Sequence, residues 1–196
     1  MSVDRKQLRL ALRKKRRLLS PSTQRLHAQR LCLQMRKQLI FQKAQHIALY
    51  LPNDGEISPV PLIQLCWSLK KSVYLPVLHP IHHNRLWFVP YTPDTPMRLN
   101  RYKIMEPVVD KAPKRPAWAL DLVLLPLVGF DLNGGRLGMG GGYYDRTFDF
   151  KHHKRGVTGP DLIGLAHSFQ QVEQLPIEPW DIPLAGIATE IAYQKI

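Results

Sequence analysis

Ile47-Ala-Leu-Tyr-Leu-Pro-Asn-Asp-Gly55 is a short unbroken apolar run that ends on loop-forming residues. An apolar run without polar alternation suits a strand buried on both faces, and Pro-Asn-Asp-Gly stops it. The same texture returns at residues 73–75, 86–89, 122–125, 162–166 and 184–188. Helical patterns separate some of these runs, as at residues 60–71, where Pro59 and Pro61 mark the start. Buried strands separated by helices predict an α/β fold. The expected form is an open, mostly parallel sheet with helices on both faces, three-layered and Rossmann-like, preceded by a helical pair. Ligands in such folds bind beyond the carboxyl ends of the strands. The loops that leave Leu51 and Phe130 are therefore the places to look for a site.

The helical pair occupies the first 43 residues. Residues 4–19 read as one helix, with Asp4 as N-cap and Leu8, Ala11, Leu12, Leu18 and Leu19 as a partial apolar stripe. Ser20-Pro21 restarts the chain, Ser as cap and Pro at the first helical position. A second helix is expected to run to about Gln42, with Ala28, Leu31, Met35 and Leu39 on one face. Further on, residues 90–118 are proline-rich. Tyr91, Met97, Tyr102, Ile104 and Met105 nevertheless make the segment too apolar for a solvated spacer, so it reads as an ordered excursion that can wall a pocket. No repeat or low-complexity tract breaks the sequence, and a single domain over residues 1–196 is expected.

The net charge is +13, but it is unevenly spread. Residues 1–43 hold 13 Lys and Arg against the single acid Asp4, and the rest holds 15 basic against 14 acidic residues. The positive field thus belongs to the N-terminal helices. Such a segment can bind RNA or an anionic surface, or steer a polyanionic small substrate. No RNP, KH or zinc-finger pattern accompanies it, so nucleic acid is not the expected partner. Cys32 and Cys66 form no CxxC pair and no disulfide framework, which fits a reduced, cytoplasmic setting. Residues 1–17 are basic without a following apolar stretch, so no signal peptide is expected, and the apolar runs are too short to span a membrane. His79, His82, His83, His152 and His153 lack ligand spacing, so no zinc site is expected. There is no Gly-x-Ser-x-Gly elbow.

Function is carried by Arg136-Leu-Gly-Met-Gly-Gly-Gly-Tyr-Tyr-Asp-Arg146. Four glycines leave almost no side chain between the backbone and a ligand, so consecutive amides can converge on an anion. Arg136 and Arg146 add positive charge, and Asp145 can hold a divalent metal. A strand-like segment over 122–130 precedes the loop, and residues 143–150 can open a helix whose N-terminus also favours phosphate. The plainer alternative is a glycine-rich turn shaped by packing alone.

This loop, together with Tyr50-Leu-Pro-Asn-Asp-Gly-Glu56 and Trp180-Asp-Ile-Pro183, resembles the 5-formyltetrahydrofolate cyclo-ligase family, also called 5,10-methenyltetrahydrofolate synthetases. Arg5-Lys-Gln-Leu-Arg9 is similar to that family's opening basic motif, and the match runs in order along nearly the whole chain. The resemblance implies conversion of 5-formyltetrahydrofolate to 5,10-methenyltetrahydrofolate, with ATP as co-substrate and Mg²⁺ as cofactor; a monomer is expected. It implies Arg136, Tyr144 and Asp145 as catalytic residues. It places ATP against Arg5, Lys6, Arg9, Arg136, Leu137, Gly138, Met139, Gly140, Gly141, Gly142, Tyr143 and Tyr144. The folate would meet Leu51, Glu56, Tyr102, Met139, Gly140, Gly141, Gly142 and Tyr143, and Mg²⁺ would meet Asp145 and Asp181.

Each assignment has a plainer rival. Asp145 can cap the following helix or pair with Arg146, Asp181 and Glu56 can be turn residues, Tyr102 can be core, and Arg5, Lys6 and Arg9 can be solvated helix charges. The chain also departs from the family at Gly141, where many relatives carry Lys in a Gly-Lys-Gly-Tyr-Tyr-Asp loop. Competing functions are a sugar-phosphate isomerase or acyl-CoA-type activity on a related α/β fold, and a basic RNA-associated protein. Flanking arginines with a metal-type aspartate favour ATP over a sugar monophosphate.

Overall fold

A computed structural model describes residues 4–109, 112–153 and 159–196. The chain opens with α1 (Arg5–Arg17), α2 (Pro21–Arg36) and α3 (Leu39–Lys43), followed by β1 (His46–Ala48), α4 (Val60–Ser68), β2 (Ser72–Leu78) and β3 (Leu86–Pro90). A hairpin of β4 (Met97–Leu99) and β5 (Met105–Pro107) occupies the proline-rich excursion. Then come β6 (Leu122–Pro126), a small ribbon of β7 (Gly129–Phe130) and β8 (Arg136–Leu137), α5 (Tyr143–Phe148) and α6 (Phe150–His153). The chain closes with β9 (Asp161–Leu165), β10 (Gly186–Ala188) and β11 (Tyr193–Lys195).

The main sheet has seven strands in the order β11-β10-β9-β6-β1-β2-β3. Its inner five run parallel, and β3 and β11 pair antiparallel at the two edges. Successive strand residues face opposite layers. Ile47, Leu122, Leu124, Ile163, Leu165 and Ala188 pack with Leu31, Met35 and Phe41 of α2 and α3 and with Leu62, Ile63 and Cys66 of α4. Ala48, Val123, Leu125, Leu162 and Ile187 pack on the other side with Phe88, Phe130, Phe148 and Leu184. The expected three-layer α/β fold is what forms.

Several details differ from expectation. The second helix stops at Arg36, because Gln38 takes an extended backbone (φ −83°, ψ 131°) and α3 restarts in a new direction that puts Phe41 into the core. The helix after the glycine loop also breaks, leaving α5 with six residues, so its contribution to phosphate attraction through a macrodipole is small. The first strand ends at Ala48, short of Leu51, although the Leu49 amide still donates to the Tyr74 carbonyl at 3.0 Å. The β7–β8 ribbon was not anticipated. Its turn is shaped by buried Asp131, whose Oδ1 accepts the amides of Asn133 and Gly135 and whose Oδ2 accepts that of Leu175.

From β1 the chain goes to β2 on one side, then returns to β6 on the other. The carboxyl ends of β1 and β6 therefore flank a topological switch point, where a crevice opens in sheets of this kind. The 52–57 loop leaves one of these strands and the ribbon with its glycine loop leaves the other.

Candidate active site

The first helix supplies the floor. Leu12, with Leu8 beside it, packs on Val128, Leu137 and Leu175, so α1 rests an apolar stripe on the ribbon. Arg9, Arg13 and Arg16, spaced i, i+4 and i+7, share the neighbouring face. Arg16 is fully buried. Its Nε donates to the Asp54 carbonyl at 2.7 Å, one terminal nitrogen to Asp54 Oδ2 at 2.8 Å, and the other to the Leu127 carbonyl at 3.4 Å. Arg13 donates to Asp54 Oδ2 at 2.7 Å, and Arg17 donates to Oδ1. Burial pushes the Asp54 carboxyl up, but the hydrogen bonds from Arg13, Arg17 and Arg16 outweigh it and hold the group down at about 2.

Gly55, at φ +75°, lets the loop press on α1: a Cβ there would sit 2.8 Å from the Arg16 carbonyl oxygen. Glu56 follows, 3.7 Å from Arg16, with its Oε2 accepting the Asn53 amide at 3.1 Å. Burial pushes the Glu56 carboxyl up from 4.5 to about 7, against the opposing pull of Arg16. The buried Tyr50 hydroxyl donates to the Ile57 carbonyl at 2.6 Å and closes the loop. Tyr144 approaches from α5; burial, and then the Glu56 charge, push its phenol well up.

The glycine loop forms the opposite wall. Arg9 Nε donates to the Gly138 carbonyl at 2.8 Å, and Gly140 adopts φ +97° beside the Arg9 guanidinium. Residues 138–140 are exposed. Among the described residues, none of the five amides of Gly138 to Gly142 donates a hydrogen bond to another protein group. A row of unspent N–H donors beside guanidinium groups is what an anion-binding loop requires. Met139 is half exposed and brings its Sδ to 3.7 Å from Arg16.

At the rim, the β4–β5 hairpin places Tyr102 over the loop. Its hydroxyl lies 2.7 Å from that of Tyr143, to which Arg101 donates at 2.5 Å, and the two rings meet edge-on at 6.2 Å. Behind the loop, Arg136 forms an ion pair with Asp145 Oδ1, which also accepts the Ile182 amide at 3.3 Å. Asp181 Oδ2 accepts the Glu178 amide at 3.0 Å, and Glu178 pairs with Arg5 at 3.6 Å. The tail around residue 180 is thereby tied both to α1 and to the end of the glycine loop.

The model of the 5-formyltetrahydrofolate cyclo-ligase family matches residues 1–190. The chain belongs to the 5-formyltetrahydrofolate cyclo-ligase family. It is thus an enzyme of the ligase class. It is 46% identical over 184 residues to the 5-formyltetrahydrofolate cyclo-ligase of Haemophilus influenzae, covering 93% of this chain and 96% of that one. The Escherichia coli K12 enzyme of the same name is 43% identical over 179 residues, covering 91% and 96%. The 5,10-methenyltetrahydrofolate synthetase of Aquifex aeolicus superposes with a TM-score of 0.80 at 31% identity, over 97% of this chain and 92% of that one. The synthetase of Mycoplasma pneumoniae, at 24% identity and a TM-score of 0.74, shares the fold.

In this cyclo-ligase, residues expected from separate segments meet. Arg9, Gly138 and Gly140 lie together, Met139 reaches Arg16, and Tyr102 meets Tyr143, while the Glu56 charge acts on the Tyr144 phenol. Arg5 faces the tail, and Lys6 is exposed. Leu137 is buried beneath the loop, so only its backbone can serve a ligand, and Leu51 is half buried against the core. Asp145 pairs with Arg136 rather than Arg146, which instead donates to the Gly141 carbonyl at 2.8 Å. At position 141 a Cβ would meet the Tyr143 ring at 2.8 Å, so the ring occupies the room a Lys side chain would need to leave the loop. Arg13, Arg16, Arg17, Asp54 and Arg101 were missed. The arginine spacing along α1 was readable, but their common partner Asp54 was not.

Proposed function

We propose that the enzyme converts 5-formyltetrahydrofolate to 5,10-methenyltetrahydrofolate with consumption of ATP. The formyl oxygen is a poor leaving group. Transfer of the γ-phosphoryl group onto it makes an imidate-like phosphate, N10 attacks the activated carbon, and inorganic phosphate departs with ADP as the other product. Such a transfer asks the protein chiefly for positioning and charge neutralisation.

The row of unspent amides over Gly138 to Gly142, with Arg9 and Arg146 against the loop and Arg136 paired with Asp145 behind it, carries this reading. Those amides receive the phosphates, and the guanidinium of Arg9 holds the loop and adds charge. Arg136, fixed by Asp145, meets the transferred group. Glu56, about half protonated at neutral pH, can in its protonated form donate to and in either form accept from the polar edge of the pterin, with Leu51, Met139, Tyr143 and Tyr102 as its apolar surround. Arg13, Arg16 and Arg17 of α1 turn onto Asp54, which speaks for an enzyme wall over an RNA-binding face.

Mg²⁺ suits the donor chemistry here. Asp145 spends Oδ1 and Asp181 spends Oδ2, and among the described residues neither other oxygen carries a hydrogen bond. Hard carboxylate oxygens beside a triphosphate, with water completing the shell, are what this ion prefers. When bound it would neutralise phosphate charge.

The test is to mix purified protein with 5-formyltetrahydrofolate, ATP and Mg²⁺ and follow the near-ultraviolet absorbance of the methenyl product. ATP-dependent growth of that signal, abolished by a chelator, is expected. A flat trace from folded protein would remove the folate assignment and leave the phosphate cradle to be matched to another substrate.

A further inference from the structure

We infer that His27, His167 and Glu190 form a binding site for one divalent transition-metal ion of the zinc class, separate from the nucleotide and folate site. His27 lies on α2, His167 follows β9, and Glu190 follows β10. His27 Nδ1 is 2.9 Å from His167 Nδ1 and 3.8 Å from Glu190 Oε1, and all three ligand atoms lie within 4.8 Å of one another. Bonds of about 2.05 Å around a tetrahedral zinc ion put ligand atoms roughly 3.3 Å apart. The two shorter separations bracket that value and reach it with changes of about half an ångström, while the third pair, within 4.8 Å, closes by a larger turn of the His167 or Glu190 side chain.

The proton inventory makes the convergence more telling. His167 Nε2 lies 3.2 Å from the Gly55 carbonyl oxygen, which can only accept, so Nε2 carries the hydrogen. In the neutral ring Nδ1 is then a bare lone pair. It points at His27 Nδ1, whose proton sits between that lone pair and the Glu190 carboxylate. Three donor atoms thus crowd one point around a single hydrogen. Metal binding moves that hydrogen from Nδ1 to Nε2 of His27 through solvent and frees the third lone pair, with no net change in ring charge. Two imidazole nitrogens and one carboxylate oxygen are a ligand set for Zn²⁺ and its neighbours rather than for Mg²⁺.

The surroundings resemble a built ligand shell. Both Glu190 oxygens are held by Ser168, Oε1 by its hydroxyl and Oε2 by its amide at 2.9 Å. The Gly55 carbonyl orients His167, whose ring stacks on Phe169 at 5.4 Å and 8°. Partners of this kind fix the orientation of metal ligands. His167 and Glu190 are buried, while the His27 side chain is 15% exposed and leaves a way in and a place for a water ligand. The site also touches the active centre indirectly, because Gly55 sits between Asp54 and Glu56. A bound ion ties α2 and the ends of β9 and β10 to the loop that Arg16 holds.

The experiment takes the full-length, untagged protein, stripped with a chelator, and titrates it with Co²⁺, a zinc analogue with visible d–d absorption. We expect the signal to saturate at one ion per chain, Zn²⁺ to displace it, and the thermal midpoint to rise with free Zn²⁺. Glu190→Gln and the partly exposed His27→Gln should each weaken binding at least about 100-fold, beyond the cost of losing an outer partner alone. Asp145→Asn and a His79→Gln/His82→Gln double variant should leave the signal intact, which separates this site from the proposed Mg²⁺ ligands and from the surface histidines. The absence of a one-to-one Co²⁺ signal in the wild-type protein would overturn the assignment. So would a signal that survives both Glu190→Gln and His27→Gln, or one that disappears in Asp145→Asn.

Discussion

Glu56→Gln should make the ligand-free protein more stable, and by an amount that depends on pH. In the fold the Glu56 carboxyl titrates at about 7, raised by burial from an ordinary 4.5 against the pull of Arg16. The unfolded chain therefore ionises first. As pH rises from 4.5 toward 7, the unfolded state gains the free energy of deprotonation while the folded state does not, so the wild type loses stability across that window. Above about 7 both states are ionised and the loss levels off. At about 1.4 kcal/mol per pH unit, the full cost is about 3 kcal/mol. Working through both titrations gives a cost of about 1 kcal/mol at pH 5 and about 3 kcal/mol at pH 8. Glutamine keeps an acceptor for the Asn53 amide and cannot ionise, so it escapes the loss. Urea unfolding of both proteins at the two pH values, with m held common, should show the gap in favour of the variant widening by about 2 kcal/mol. Every other titrating group is shared and cancels in the difference. A gap that is the same at pH 5 and pH 8, or that favours the wild type at pH 8, would refute the argument that burial outweighs Arg16.

Three further outcomes are expected. Asp145→Asn leaves Arg136 without its carboxylate partner and should lower turnover roughly 100-fold, with a stability cost of about 1–3 kcal/mol; full activity in steady-state assays would remove Asp145 from the site. Arg9→Ala takes away both the hydrogen bond to Gly138 and a charge at the cradle, so the KM for ATP should rise about 10-fold or more with kcat changed far less; an unchanged KM would show that the phosphates lie elsewhere. Gly55→Ala sets a Cβ 2.8 Å from a helix carbonyl at a left-handed φ of +75°, and should cost about 2–4 kcal/mol in urea unfolding. A loss below about 0.5 kcal/mol would mean that the loop moves freely away from α1.

Much of this architecture was legible in the residues. Unbroken apolar runs such as Ile47-Ala-Leu-Tyr-Leu51 announce strands covered on both faces, because no polar residue marks a solvent side. Asp4 and Ser20 announce helix starts because their side chains accept the first free amides, and both do so. The openness of the glycine loop was legible for a similarly local reason, since residues without side chains leave their backbone uncovered, and residues 138–140 are exposed.

Tertiary structure decided what those local signals met. Nothing in the spacing of Arg13, Arg16 and Arg17 says that all three close on Asp54, some 40 residues away, or that Arg16 is fully buried. Likewise, Asp145 could have been paired with its neighbour Arg146 on sequence alone, whereas the ribbon brings Arg136 to it. The titration of Glu56 near 7 and the meeting of His27, His167 and Glu190 are further cases. Patterning is a property of neighbours in the chain, so it fixes elements and their buried faces. Ion pairing, desolvation and ligand convergence depend on distances between segments far apart in sequence, and only the packed sheet with α1 laid across its carboxyl edge sets those distances.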